Sequence, residues 1–265
     1  MALRFCSIAS GSSGNCQYIE TEKIRILIDG GLSGKKIENG LESIGVEPNT
    51  IDYILVTHEH KDHTKGVGVL SRRYNIPIYA NESTWKGMMN GIGNIKDENI
   101  LTFKTDKDFE LRDLGIFPFR VSHDANEPVG FCFCYKKEKI SLLTDTGYVS
   151  ENIKKCIKNS SLIMLESNHD KEMLKMGKYP WFLKKRILSE IGHLSNEDAG
   201  EIIADIVSGR GEKVLLAHLS KENNFPELAY QTVVNILNEK GIDEKKDINL
   251  DLTFRDKRTD VYTFK

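Results

Sequence analysis

Short apolar runs rich in β-branched residues alternate with polar breaks through the first half of the chain. Leu3–Ser7, Cys16–Thr21, Ile24–Asp29 and Asp52–Val56 read as strands, with Glu22-Lys23 as a tight hairpin turn. Ser33–Ile44 carries helical spacing and stops at Gly45, while Lys65–Tyr74 and Glu82–Asn90 read as further helices. Strand patterns return at Ile116–Val121, Gly130–Tyr135 and Ile140–Leu143. The second half then alternates: helix at Glu151–Ile157, strand at Leu162–Glu166, helix at Ser195–Ser208, strand at Val214–His218, helix at Pro226–Glu239. Ser195 and Asp198 are spaced as a capping box, and Pro226 suits a first helical turn. Strand runs mixed with amphipathic helices predict an α/β protein, sheets packed together under helical outer layers.

No Pro-rich linker, repeat or low-complexity stretch divides the 265 residues, so one domain over residues 1–265 is the expectation. Apolar residues at 39% and charged residues at 29% suit a globular chain, and no apolar run approaches membrane-spanning length. The first residues lead into a strand pattern without a signal-peptide profile, which makes a cytoplasmic location the expectation. A net charge of −2 excludes a general nucleic-acid coat, so any phosphate recognition must be local. Five cysteines without CxxC spacing fit neither a disulfide framework nor a zinc ribbon. Cys132 and Cys134 share one strand face and are expected to pack in the core.

The chemistry lies with the histidines. Thr57-His58-Glu59-His60-Lys61-Asp62-His63 follows directly on a strand and crowds three imidazoles into six residues. Protonated they would repel, and neutral they would waste buried polar groups; a metal resolves both problems, because imidazole and carboxylate are its natural ligands. The alternating spacing lets His58 and His60 reach one ion, while Asp62 and His63 on the next turn reach a second. His123, Asp145 and His218 each close another strand pattern, and four ligands from the cluster need about three more for two four- or five-coordinate ions. Asp29 ends a strand that reads as buried; it is expected to orient the histidine loop by hydrogen bonds, with capping of the following helix as the plainer alternative.

HxHxDH, then His, then Asp in an Asp-Thr-Gly setting, then a late His resembles the metallo-β-lactamase superfamily of binuclear hydrolases. The resemblance covers essentially the whole chain. It implies a four-layer αββα sandwich of two mixed sheets with helices outside and two divalent metal ions at one edge, zinc favoured, manganese or iron as alternatives. By that resemblance His58, His60 and His123 hold the first ion, Asp62, His63 and His218 the second, and Asp145 bridges. The segments Ser7–Asn15, Glu166–Asp170, Gly192–Asn196 and His218–Asn224 are similar to the YycJ/VicX/WalJ group of that superfamily, which is associated with 5′-to-3′ exonuclease activity on DNA.

The resemblance thus implies a cytoplasmic phosphodiesterase whose metal-bridging hydroxide attacks phosphorus, with nucleic acid, DNA favoured, as partner and neither membrane nor obligate protein partner. Asp62 and His193 are assigned to the chemistry, His193 because superfamily phosphodiesterases place a His shortly before the last ligand, against the scissile phosphate or leaving oxygen. Ser12 and Asn15, in a Gly-Ser-Ser-Gly-Asn turn, are candidate phosphate contacts, although such residues suit any turn. His169 and Arg186 are further candidate substrate contacts, the former also compatible with an Asx turn. The basic-aromatic stretch from Lys175 to Arg186, with Tyr179, Trp181 and Phe182, has the composition of a strand-binding segment and equally of a solvated helix. Hydrolysis of thioesters or small esters in the glyoxalase manner, and of small cyclic or nucleotide phosphodiesters, are the competing activities. Only 22 positions separate His123 from Asp145, leaving no room there for a long RNA-clamping arm.

Overall fold

Side-chain alternation in two sheets determines the architecture. The computed structural model describes residues 2–265. One sheet runs β14 (Tyr262–Phe264), β1 (Leu3–Ala9), β2 (Cys16–Glu20), β3 (Arg25–Ile28), β4 (Tyr53–Leu55), β5 (Ile78–Ala80), β6 (Ile100–Thr102). The other runs β13 (Ile248–Leu252), β12 (Glu212–Ala217), β11 (Leu162–Glu166), β10 (Glu138–Leu143), β9 (Val129–Tyr135), β8 (Leu114–Arg120), β7 (Phe109–Leu111). Each sheet is mixed in the same way. Antiparallel pairs join β14 to β3 and β7 to β10; parallel pairs join β3 to β6 and β10 to β13.

Phe5, Ile26, Ile28, Phe131, Phe133 and Met164 point between the sheets and build one core from both. Their strand neighbours Cys6 and Leu27 turn outward under α1 (Gly34–Glu42), α3 (Val67–Tyr74) and α4 (Glu82–Ile92). Cys132, Ile163 and Leu216 turn outward under α5 (Glu151–Ile157), α8 (Asn196–Ile206) and α9 (Pro226–Glu239). The result is the expected four-layer αββα sandwich. Burial on both faces explains why a parallel strand such as Leu162–Glu166 is apolar up to its last residue, Glu166.

Cys134 departs from expectation. It lies at the exposed end of β9, while Cys132 is buried with its Sγ 3.4 Å from that of Cys156. All five thiols are free. Ser195 caps α8 with Asp198 as its spacing predicts. Among the described residues, no helix is long and apolar enough to cross a membrane.

Candidate metal centre

The strand ends β3, β4, β8, β10, β11 and β12 open on one edge of the sandwich, and each delivers a polar residue there. Three of these residues, Asp29 (φ 61°), Asp145 (φ 55°) and His218 (φ 56°), are left-handed, which turns the side chain back at once from the strand. That conformation costs about 1–2 kcal/mol per non-glycine residue, and such strain concentrates at functional sites. The histidine loop passes from β4 into α2 (Lys61–Thr64), where the carbonyl of Asp62 accepts the Asn15 N–H at 2.8 Å. A Cβ on Gly31 would stand 1.6 Å from that carbonyl oxygen, so only glycine permits this approach.

Four groups of donors lie close enough to hold an ion: His58, His60 and His123; Asp62, His63 and His218; His58, His63 and Asp145; and Asp145, Glu166, His193 and His218. His58 Nε2 and His60 Nδ1 are 3.1 Å apart. Asp145 lies between the first two groups, 3.3 Å from His63 Nε2, 3.5 Å from His218 Nε2 and 4.0 Å from His123 Nε2. Ligand atoms 2.0–2.1 Å from a tetrahedral ion stand about 3.3 Å from one another, so this spacing suits shared ions. Asp145 Oδ2 and His218 Nε2 are buried without a hydrogen-bond partner, a costly state for polar atoms unless a further group belongs there. The donor set fits divalent metals.

The atoms turned away from the centre explain how the rings are aimed. His63 Nδ1 lies 2.8 Å from Asp29, which also accepts the Thr57 N–H at 2.9 Å. His218 Nδ1 and His193 Nδ1 lie 2.9 and 2.8 Å from the same oxygen of Glu166. The other Glu166 oxygen accepts the N–H groups of Thr146 and Leu194. His58 Nδ1 rests on the Thr57 hydroxyl at 3.0 Å, and His123 Nδ1 on the Gly192 carbonyl at 3.2 Å. Such outer partners select the tautomer and leave the opposite nitrogen for a ligand.

Charge follows these partners. Burial, aided by His63, pushes His58 well below the ordinary histidine range, and burial lowers His123. Burial opposes charge on His63 and His218 as well, but carboxylates win there. Asp29, Asp145 and Asp62 raise His63 well above its usual value, and Asp145, Asp62 and Glu166 bring His218 to about 10. Burial likewise resists ionisation of Asp145 and Glu166; the imidazoles outweigh it, holding Asp145 well below the carboxylate range and Glu166 at about 2.

The remaining candidates fall into two classes. His193 overhangs the centre, its ring 5.2 Å from that of His123 and 5.4 Å from that of His218. Ser12 is exposed at the turn tip, and Arg186 is half-exposed and ion-paired with Asp124, the residue after His123. Asn15 and His169 are buried. Asn15 is 1% exposed, its amide bonded to Gly11 and the Asp62 carbonyl and 3.0 Å from His63 Nε2. His169 is also 1% exposed, neither ring nitrogen has a partner, and burial lowers it to about 4. Glu166 and Ser10, whose hydroxyl accepts the His218 N–H, are site residues that sequence reasoning left without a role. An acidic residue closing a wholly apolar strand, as Asp29 does in β3, was the available signal for Glu166.

Residues 24–219 match the family model described as the beta-lactamase superfamily domain. The chain is 46% identical over 241 residues to exodeoxyribonuclease YycJ of Bacillus anthracis, covering 91% of each protein. It is 46% identical over 239 residues to exodeoxyribonuclease WalJ of Streptococcus pneumoniae, covering 89% of each. Among solved structures, the metallo-β-lactamase fold protein YhfI from Bacillus subtilis superposes with a TM-score of 0.75 at 14% identity, over 99% of this chain and all of that one. A diphosphatase of the PhnP family superposes at 0.67 with 16% identity, over 100% and 99% of the two chains. Both structural likenesses concern the fold alone.

Proposed function

Because this chain belongs to the metallo-β-lactamase superfamily of metal-dependent hydrolases, we propose that it is a binuclear phosphodiesterase that shortens DNA from its 5′ end. The observation that carries the binuclear reading is the position of Asp145, between two groups of imidazoles, with one carboxylate oxygen buried and unpartnered. His58, His60 and His123 would hold one ion, Asp62, His63 and His218 the other, and Asp145 both. When bound there, two divalent ions, zinc first among the candidates, would supply Lewis acidity toward phosphoryl oxygens and a water whose pKa is lowered from 15.7 to about 7.

The chain's own contribution is orientation and proton handling. Asp29 and Glu166 fix the rings of His63 and His218, so the donor nitrogens need no reorganisation when substrate arrives. His193 donates Nδ1–H to Glu166, and the same nitrogen lies 3.9 Å from Asp145, so Nε2 has neither carboxylate as its partner; Glu166 favours the charged ring against its burial and raises its pKa. A proton on Nε2 is thereby available to the departing 3′ oxygen. Ser12, exposed in its turn, and Arg186, paired with Asp124 next to His123, are the proposed contacts for a phosphate backbone.

The testing experiment combines elemental analysis of purified protein with end-labelled single- and double-stranded DNA and RNA, and a thioester alongside. Two ions per chain and nucleotides released in order from a 5′-labelled DNA end are expected. A single tightly bound ion, with Asp145 and His218 remote from it, would sink the binuclear model; turnover of the thioester alone would replace the substrate class.

A further inference from the structure

Five of the chain's exposed large apolar side chains, Met176, Trp181, Phe182, Leu188 and Ile191, fall on one short stretch that includes α6 (Lys171–Met176) and α7 (Trp181–Ile187). Trp181 is 64% and Phe182 74% exposed, which is expensive for rings that could have been turned inward. The same stretch, residues 171–191, carries six basic and two acidic residues in a chain whose net charge is −2. Lys185 Nζ lies 5.4 Å over the Trp181 ring, placing a cation beside the aromatic face.

This surface is continuous with the metal centre. Arg186, on the same helix, pairs with Asp124 beside His123, and Ile187 accepts the N–H of His193. Five residues of helix separate Trp181 from Arg186, about 7.5 Å along the axis. Lys171, Lys175 and Arg186 are paired with carboxylates and Lys184 is buried against the Lys175 carbonyl, which leaves Lys178 and Lys185 beside the rings. Aromatic faces next to such cations, near a phosphodiester-cleaving site, match an unpaired nucleic-acid strand, whose bases stack and whose phosphates neutralise. A second copy of this chain fits worse, because a two-fold contact would set the basic patch against itself.

We propose that Trp181 and Phe182 form a stacking platform for the bases of a single strand, holding a frayed or unpaired end at the entrance to the metal centre. The inference rests on the phosphodiesterase reading and deepens it, by making an unpaired strand the bound form. Trp85, the other tryptophan, is buried with its Nε1–H bonded to Leu101, so fluorescence responding to added ligand reports Trp181.

The test titrates metal-loaded protein with a phosphorothioate oligothymidine that resists cleavage, and with a duplex closed by hairpins at both ends. The single strand should quench the fluorescence and the closed duplex should not. Replacing both rings, Trp181→Ala with Phe182→Ala, should weaken single-strand binding about 10- to 100-fold, the worth of one or two stacked bases. Turnover of bis(p-nitrophenyl) phosphate, which cannot span the platform, should be unchanged and shows that the variant is folded. Equal single-strand affinity in the double variant overturns the platform, as does a wild-type dimer that the double variant dissociates while DNA affinity stays the same. Quenching by a protein that cleaves neither DNA nor the small diester would leave the platform standing and remove the catalytic reading instead.

Discussion

The two donor groups of the metal centre are backed differently. His58 and His123 lean on neutral acceptors, the Thr57 hydroxyl and the Gly192 carbonyl. His63 and His218 lean on the buried carboxylates of Asp29 and Glu166. In the absence of metal, the first pair is therefore held neutral by burial, and the second is held charged. A carboxylate behind an imidazole makes it a stronger donor, but also one that a proton occupies until a metal displaces it. The two proposed ions are accordingly expected to be unequal in affinity and in pH response, even though Asp145 would join them.

Removing the junction is the most damaging change. Asp145→Ala should abolish turnover while circular dichroism shows the fold retained, because the side chain borders the site and not the core between the sheets. Hydrolysis near the wild-type rate under limiting metal would show that Asp145 does not connect the two groups.

His193 shares Glu166 with His218 but belongs to neither donor group proposed for an ion. His193→Ala should lower the rate on DNA by roughly 10²–10⁴-fold, the usual worth of a positioned acid, with both metals still bound. A diester with a p-nitrophenolate leaving group should suffer less, since that group needs little protonation. Equal loss on both substrates, or loss of a metal, would reassign His193 to phosphate binding or ligation.

Glu166→Gln and Asp29→Asn probe the backing itself. Each should weaken metal binding by about 10- to 100-fold, and each should empty the His63–His218 group while His58, His60 and His123 keep their ion. Glu166→Gln should be the more harmful to turnover, because it releases His193 as well. Metal-to-protein ratios beside rates distinguish the cases; loss of both ions together would mean the groups are not separately backed.

How far this centre could be read beforehand follows from the same contrast. The histidine loop was legible because its ligands crowd into six residues after one strand. Asp29 was legible as the polar end of a buried strand. Glu166 carries the same signal, but its role was not legible, because its partners His193 and His218 lie 27 and 52 residues away, and Ser10 meets His218 across 208. Only the packing of the sheets brings them together. The same reason hid the burial of Asn15 and His169, which composition places in turns. In the fold, Leu162–Glu166 and Pro226–Glu239 were readable to the residue from continuous apolar pattern and a first-turn proline. The strands Ile78–Ala80, Ile100–Thr102 and Phe109–Leu111 were missed, since three residues carry too little periodicity, and so were β13 and β14.

Acidification should expose the inequality most gently. In the metal-free protein His218 titrates near 10, above the unfolded value of about 6.5. Its pairing with Asp145, Asp62 and Glu166 therefore stabilises the fold fully below about 6.5 and is lost as pH rises through about 10. Metal binding runs the other way, because the ion must expel that proton, and the raised His63 adds to the competition. His58 and His123, lowered by burial, carry no proton near neutrality and offer little resistance. Dialysis against a weak chelator at stepwise lower pH should thus remove one ion first, with affinity falling up to about tenfold per pH unit for each proton taken up. The remaining ion should still be lost in a His58→Ala variant and retained in a His218→Ala variant. Simultaneous release of both ions, or the reverse dependence on these two variants, would mean that the carboxylates behind His63 and His218 do not make the difference.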